Sequence, residues 1–173
     1  MRESLALLEM YKAPIQFSEP EEVKDFHRDS EKLGILYDLN GWYITKEWSL
    51  IFKEHFNKIL VLAEGRNPWA QYNIGNIYFG GYLYSSQEDF EKNYESDLIE
   101  GSKWFEKAAR QGFVAAVDTL VVVGVGSEAE RLRTVAKDVE KEHPEFIQKR
   151  EGNEYITPSL FEAVWDRAYG RSS

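Results

Sequence analysis

Apolar residues recur every three to four positions along most of the chain, which is the spacing of amphipathic helices. The pattern predicts a first helix beginning at Ser18, because Ser18 and Glu21 have the spacing of a capping box. A second helix is predicted from about Thr45 to Leu62, with a broad apolar stripe that includes Ile51. Gly65, directly after Glu64, is predicted to end this second helix.

Asn67 followed by Pro68 predicts the start of a third helix, which ends at the glycine pair Gly80 and Gly81. Further helices are predicted over 97–111, 113–123, 127–139 and 158–169, with Ser127 as the cap of the helix over 127–139. The chain is therefore expected to consist of helices joined in pairs by short turns.

Two segments allow a second interpretation, and a third is assigned to a loop. Residues 35–44 suit the end of the first helix, and they also suit a hairpin across Asn40 and Gly41. The Val-rich run 113–123 has the composition of a buried strand, but two glycines bound it at helical length. Residues 145–156 are polar and are predicted to form a loop.

A short pattern occurs twice in the chain. An apolar residue, a glycine, one variable residue, a second apolar residue and a tyrosine precede a glycine stop around Gly34 and again around Gly75, 41 residues later. A glycine inside a helix costs about 1 kcal/mol relative to alanine, so its recurrence predicts close contact between helices. A third, degenerate copy has Ala116 and Leu120 at the matching positions.

Residues 67–81 are similar to the first helix of a Sel-one-like repeat, a branch of the tetratricopeptide-type helical repeats. Residues 104–112, followed by Ala116, look like the second helix and the start of the next unit. The resemblance implies an α/α solenoid that binds other proteins, and it implies no catalytic residues. The connector over 82–96 is longer and more acidic than the short connector usual in that family.

The expected architecture is all-α: a short α/α solenoid of about three helix pairs with a C-terminal capping helix, because single pairs cannot bury their apolar faces alone. The chain is interpreted as one domain over 1–173. Within it, the parts are a divergent repeat (18–65), the best-matching repeat (66–112), a degenerate repeat (113–142) and the capping helix (157–170).

Composition narrows the classes of function. The chain has 173 residues, no cysteine and a net charge of −9, so thiolate metal sites and disulfides are excluded. The negative charge makes nucleic acid and anionic membranes poor partners and a basic protein surface a natural one. No apolar run is long enough to span a membrane and the start does not resemble a signal peptide, so a cytoplasmic protein is expected.

Residues with catalytic or metal-binding chemistry form no recognisable motif. His55 lies on an apolar stripe and is interpreted as a buried, hydrogen-bonded residue, whereas His143 precedes a proline at a helix end and is interpreted as structural. His27 with Glu31 is interpreted as an exposed pair. We therefore expect no catalytic, cofactor-binding or metal-binding residue and no enzymatic activity.

The acidic stretch within 85–100 is the most distinctive surface feature. It is either a solvated connector or an interface, and the aromatic residues interleaved with its charges favour an interface. The third helix also carries polar and aromatic residues that suit a concave binding face or, for Trp69 and Tyr72, the core. The predicted partner-binding residues are Trp69, Tyr72, Asn73, Asn76, Tyr82, Tyr84, Glu88, Asp89, Glu91 and Glu95.

These features predict a non-enzymatic protein-binding module. Short acidic chains with few repeats look like bacterial immunity proteins, and a cognate toxin with a basic surface is the expected partner. The alternative is a cytoplasmic adaptor or regulator that scaffolds an endogenous complex. The sequence leaves the identity of the partner and the oligomeric state open.

Overall fold

A computed structural model describes residues 17–40, 44–150 and 152–170; for 34–40, 149–150 and 153–156 it describes the backbone alone. The described chain is dominated by seven α-helices. They are α1 (Glu21–Asn40), α2 (Lys46–Glu64), α3 (Pro68–Gly80), α4 (Gln87–Arg110), α5 (Val114–Val123), α6 (Ser127–Glu142) and α7 (Pro158–Tyr169).

The all-α class predicted from the sequence is confirmed. Each helix packs against the next one in the chain, and α7 packs against both α5 and α6. This is the packing that a stack of helix pairs with a terminal cap requires. The finer description as a solenoid stays a prediction.

Local hydrogen bonds explain where α2 and α3 begin. The Thr45 hydroxyl accepts a hydrogen bond from the Trp48 N–H at 3.2 Å, and the Asn67 side chain accepts one from the Ala70 N–H at 3.0 Å. Gly81, in the left-handed region with a φ of 67°, follows the end of α3. The predicted boundaries of these two helices are confirmed because their signals lie in adjacent residues.

Two predicted helix caps are wrong by one or two residues. Helix α1 begins at Glu21, later than a cap at Ser18 predicts, because the Pro20 carbonyl accepts from the Val23 N–H at 3.1 Å. Helix α6 begins at Ser127, so Gly126 and not Ser127 occupies the cap position.

In two further segments the structure decides between the interpretations that the sequence left open, and in a third it differs from the prediction. Helix α1 continues to Asn40, which excludes the hairpin over 35–40, while 41–43 lie outside the described residues. The run 113–123 is helical as preferred. The predicted loop 145–156 contains a short 3-10 turn and an antiparallel hairpin of β1 (Ile147–Arg150) and β2 (Asn153–Ile156), with Gly152 at a φ of 82° between the strands.

The largest correction concerns the acidic connector. The helix predicted over 97–111 begins ten residues earlier, at Gln87, so most of the stretch 85–100 is helical. The Ser86 hydroxyl accepts a hydrogen bond from the Asp89 N–H at 3.2 Å. The carboxylates of Glu88 and Asp89 lie in the first turn, where they interact favourably with the positive end of the helix dipole. The density of charge suggested a loop, but these residues stabilise the N-terminus of a helix.

Two hydrophobic clusters form the interior, and α3 lies between them. The N-terminal cluster joins α1, α2 and α3, and the C-terminal cluster joins α4, α5, α6 and α7. One face of α3 contributes Ala70, Ile74 and Ile77 to the first cluster, and Trp69, Tyr72 and Phe79 pack against the second. Not every predicted core residue is buried, since Ile51 is 38% exposed.

The close helix contact predicted at Gly75 is confirmed. A Cβ atom there would lie 2.5 Å from the Phe105 ring, and one at Gly101 would lie 2.6 Å from the Phe79 ring. Glycine on both helices therefore lets α3 and α4 approach until aromatic rings cover each backbone. Gly34, the other glycine of the pattern, lies where the structure describes the backbone alone.

Candidate protein-binding surface

The exposed acidic residues lie on the N-terminal half of α4. Glu88, Glu91 and Glu95 follow one another at spacings of three and four residues, which places them on one face of the helix, and all three are exposed. We call these three residues the acidic strip. The Gln87 side chain donates to the Glu91 carboxylate at 2.9 Å and holds one carboxylate of the strip in place. Asp89 is also exposed but lies on an adjacent face, because successive residues of a helix are about 100° apart around its axis.

Apolar residues flank the acidic strip. Ile99 is one turn beyond Glu95 on the same face and is 51% exposed. Tyr94 is 44% exposed, and its ring meets Phe90 edge-on at 5.4 Å between centroids. Sequence reasoning missed Ile99 because a connector has no faces, whereas helical spacing from Glu95 would have found it.

Of the predicted tyrosines, Tyr82 belongs to the interior. Its ring centroid lies 4.7 Å from that of Phe52 and 5.5 Å from that of Phe26, and burial raises its pKa. Tyr82 therefore joins the last residues of α3 to the N-terminal cluster. Its surface is turned to α1 and α2 and not to the acidic strip.

Tyr84 is occupied by a hydrogen bond within the chain. Its hydroxyl donates to Asp97 at 2.7 Å, and that carboxylate is buried on α4. Burial raises the pKa of Asp97, while the hydrogen bond from Tyr84 lowers it. The pair attaches the turn after α3 to the middle of α4.

The aromatic residues predicted on α3 take the core alternative. Trp69 and Tyr72 each pack on Phe113, with ring centroids 5.0 Å apart in both cases. The Trp69 N–H also donates to the Phe17 carbonyl at 3.1 Å, and burial raises the pKa of Tyr72. These rings connect α3 to the start of α5.

The two asparagines of α3 differ. Asn73 is fully buried, and its amide donates to the Trp69 carbonyl at 2.8 Å, so the predicted place on an open binding face is not available to it. Asn76 is half-buried, and its side chain lowers the pKa of Tyr72 against the larger effect of burial. The structure thus separates the ten predicted residues into four exposed carboxylates on α4 and six residues engaged within the fold.

Two of the three histidines, His55 and His143, have hydrogen-bond partners. His55 Nε2 lies 2.6 Å from Asp29, as expected of a hydrogen-bonded residue on an apolar stripe, and His143 lies 2.9 Å from Glu145 at the end of α6. His27 is not the exposed residue that was predicted: it is largely buried, 3.7 Å from Glu19, and burial lowers its pKa.

The described residues contain neither a candidate metal site nor a candidate membrane span. No group of three or more histidine, aspartate or glutamate side chains in the described ranges is arranged to hold a metal ion. Among the described helices, none is both long and apolar enough to cross a membrane.

Comparisons with known proteins do not assign the chain to a family. No family model matches it, no curated protein matches its sequence, and no solved structure matches its fold. The resemblance of residues 67–81 and 104–112 to Sel-one-like repeats therefore stays a prediction from the sequence.

Proposed function

We propose that the protein is a non-enzymatic, cytoplasmic binding module of the immunity or antitoxin type. It blocks a cognate toxin by covering the toxin's basic active-site surface with the acidic strip of α4. The observation that carries the proposal is the exposed acidic strip on a helix whose other half is anchored in the protein core.

The strip has the charge and the flanking residues that suit this role. Three carboxylates on one face, within a chain of net charge −9, attract a basic partner and speed its association. Tyr94 and Ile99 supply apolar area beside the charges, which the centre of an interface needs because exposed charges alone contribute little affinity. Rigid helical backbone also reduces the ordering cost on binding.

The test begins with capture of the partner from the native host and continues with the purified pair. The strip variant Glu88→Lys, Glu91→Lys and Glu95→Lys is compared with a control that reverses the exposed carboxylates of Glu47, Glu54 and Asp138. Both variants change the net charge equally. At low salt we expect the strip variant to associate about tenfold more slowly or worse, and the control to change much less.

Two results would count against the proposal. Equal association rates for the strip variant and the wild type would remove the acidic strip from the interface. A captured partner whose activity is unchanged by binding would exclude toxin neutralisation and favour the adaptor function.

A further inference from the structure

A second surface of opposite charge lies at the other end of α4. A groove of about 540 Å³ runs between the C-terminal ends of α2 and α4 and the start of α3. This volume is in the range of about 300–1,000 Å³ that is typical of ligand sites. Three cationic residues line it, Arg66, Lys107 and Arg110, against the single carboxylate of Glu64.

The three cations are not equivalent. Arg110 is already paired with Glu106 at 2.9 Å and lies 3.7 Å from Glu128. Lys107 places its ammonium group 4.0 Å from the centroid of the Trp104 ring, which also lines the groove. Lys107 and Arg66 are thus the cations best placed to meet an incoming carboxylate.

The groove also has a fixed polar wall. Gln71 is buried and donates to the Ala63 carbonyl at 3.1 Å, and Gln111 donates to the Gln71 side-chain oxygen at 2.8 Å. These bonds fix both amides, and the side-chain oxygen of Gln111 can accept a hydrogen bond from a peptide N–H.

The backbone at Arg66 gives an independent reason to connect the groove with binding. Helices α2 and α4 end in the same turn: after α2, Asn67 N–H bonds to the Leu62 carbonyl, and after α4, Phe113 N–H bonds to the Ala108 carbonyl. The turn requires a left-handed residue, which is Gly112 after α4 but Arg66, with a φ of 70°, after α2.

An arginine in this conformation has a steric cost, between its Cβ and the backbone, that a glycine avoids. Glycine at the matching position of α4 demonstrates that the turn accepts it. The strained residue at α2 is the one that places a guanidinium at the groove, as expected where backbone strain serves a binding site.

We propose that this groove binds an acidic peptide segment of a partner protein, with Arg66 and Lys107 pairing with its carboxylates. The site is separate from the acidic strip, and the proposal does not depend on the toxin-blocking function. A peptide suits the groove better than a nucleic acid does, because a chain of net charge −9 repels a long polyanion.

The test measures anisotropy of a fluorescein-labelled hexaglutamate peptide at low salt against the full chain. Arg66→Gly and Lys107→Gln should each weaken saturable binding by about two- to fivefold, the range for exposed charge pairs. Lys103→Gln is the matched control, because Lys103 is one turn away on α4, pairs with Glu100 at 2.9 Å and does not line the groove.

The Arg66→Gly variant separates binding from folding. Its thermal midpoint should equal or exceed that of the wild type because the left-handed strain is removed, while its affinity for the peptide falls. Loss of affinity with a lowered midpoint would mean that the residue is only structural and would overturn the proposal. The proposal also fails if the peptide does not bind saturably, if Lys103→Gln weakens binding as much as Lys107→Gln, or if labelled hexathymidylate binds as tightly.

Discussion

The two halves of α4 share one continuous backbone but differ in what surrounds them. The C-terminal half carries Gly101 and Phe105 against α3, while Ser102 accepts a hydrogen bond from the Val125 N–H after α5, and all three residues are buried. The N-terminal half, from Gln87 to about Ser96, is mostly exposed and is held by local bonds such as that from the Asn93 side chain to the Asp89 carbonyl at 2.8 Å.

A helix that begins in the core can extend into solvent at little cost in free energy. Nucleation is the expensive step of helix formation, and the packed half provides it, so each further residue adds a hydrogen bond at little cost. The charge of this segment alone suggests a loop, but the extension makes it a rigid helical face that carries the acidic strip.

Removing an anchor of the packed half should have the largest effect. The Phe105 ring is fully buried and lies 5.1 Å from Phe79 and 5.4 Å from Tyr72 between centroids. We expect Phe105→Ala to lower the free energy of unfolding by about 3–5 kcal/mol because it leaves a large cavity. Urea denaturation measures the loss. Tyr94→Ala in the exposed half is the control and should lower the free energy of unfolding far less. Equal losses from the two variants would show that the two halves of α4 do not differ in packing.

Filling the helix contact should have the next largest effect. Gly75→Val places carbon atoms where the Phe105 ring lies, since even a Cβ would be 2.5 Å from it, and overpacking of this kind costs about 1–3 kcal/mol. The cost should shrink in the Phe105→Ala background, where the ring is absent. A double-mutant cycle by urea denaturation measures this coupling, and simple additivity would show that the two residues do not compete for space.

The junction between the halves should respond to pH. Tyr84→Phe removes the hydroxyl that donates to buried Asp97, and we expect a loss of about 1–2 kcal/mol. Because burial raises the pKa of Asp97 above 3.8, the folded state binds the carboxyl proton more tightly than the unfolded state does. The contribution of Asp97 to stability therefore falls as the pH rises from the unfolded pKa to the folded pKa.

Unfolding curves from pH 3 to pH 7 check that sign. Asp97→Asn should remove this contribution to the slope, and Tyr84→Phe should extend the window to higher pH because the hydrogen bond that lowers the pKa of Asp97 is lost. A slope in Asp97→Asn identical to that of the wild type would show that other groups dominate.

Changing the exposed half should have the smallest effect on stability. Reversing the charge of the acidic strip, Glu88, Glu91 and Glu95, is expected to cost about 0.5 kcal/mol, mainly from Glu88 in the first turn. Circular dichroism should show unchanged helicity. Melting of the N-terminal half in this variant would mean that the charges, and not the packed half, maintain the helix.

Much of the local structure could be predicted from the sequence. Thr45, Asn67 and Gly81 mark helix ends because capping bonds and left-handed backbone involve residues that are neighbours in the chain. Gly75 likewise indicated a close approach, since a helix tolerates a glycine poorly without a packing reason.

The candidate surface could be predicted only in part. The carboxylates of the acidic strip were identified by composition, but their common face depended on a helix that charge density concealed. The aromatic residues Trp69, Tyr72 and Tyr82 have the same composition signal whether they are exposed or buried, so pattern alone did not separate the two.

The sequence by itself therefore determined the helical class, most helix ends and the excess of negative charge, because these depend on neighbouring residues or on counts. Only the tertiary structure decided that aromatic side chains of α3 face inward, and that Arg66 and Lys107 line one groove although 41 residues separate them. The burial of a side chain and the grouping of charged residues that are distant in the chain depend on which elements pack together, and that packing is a property of the whole chain.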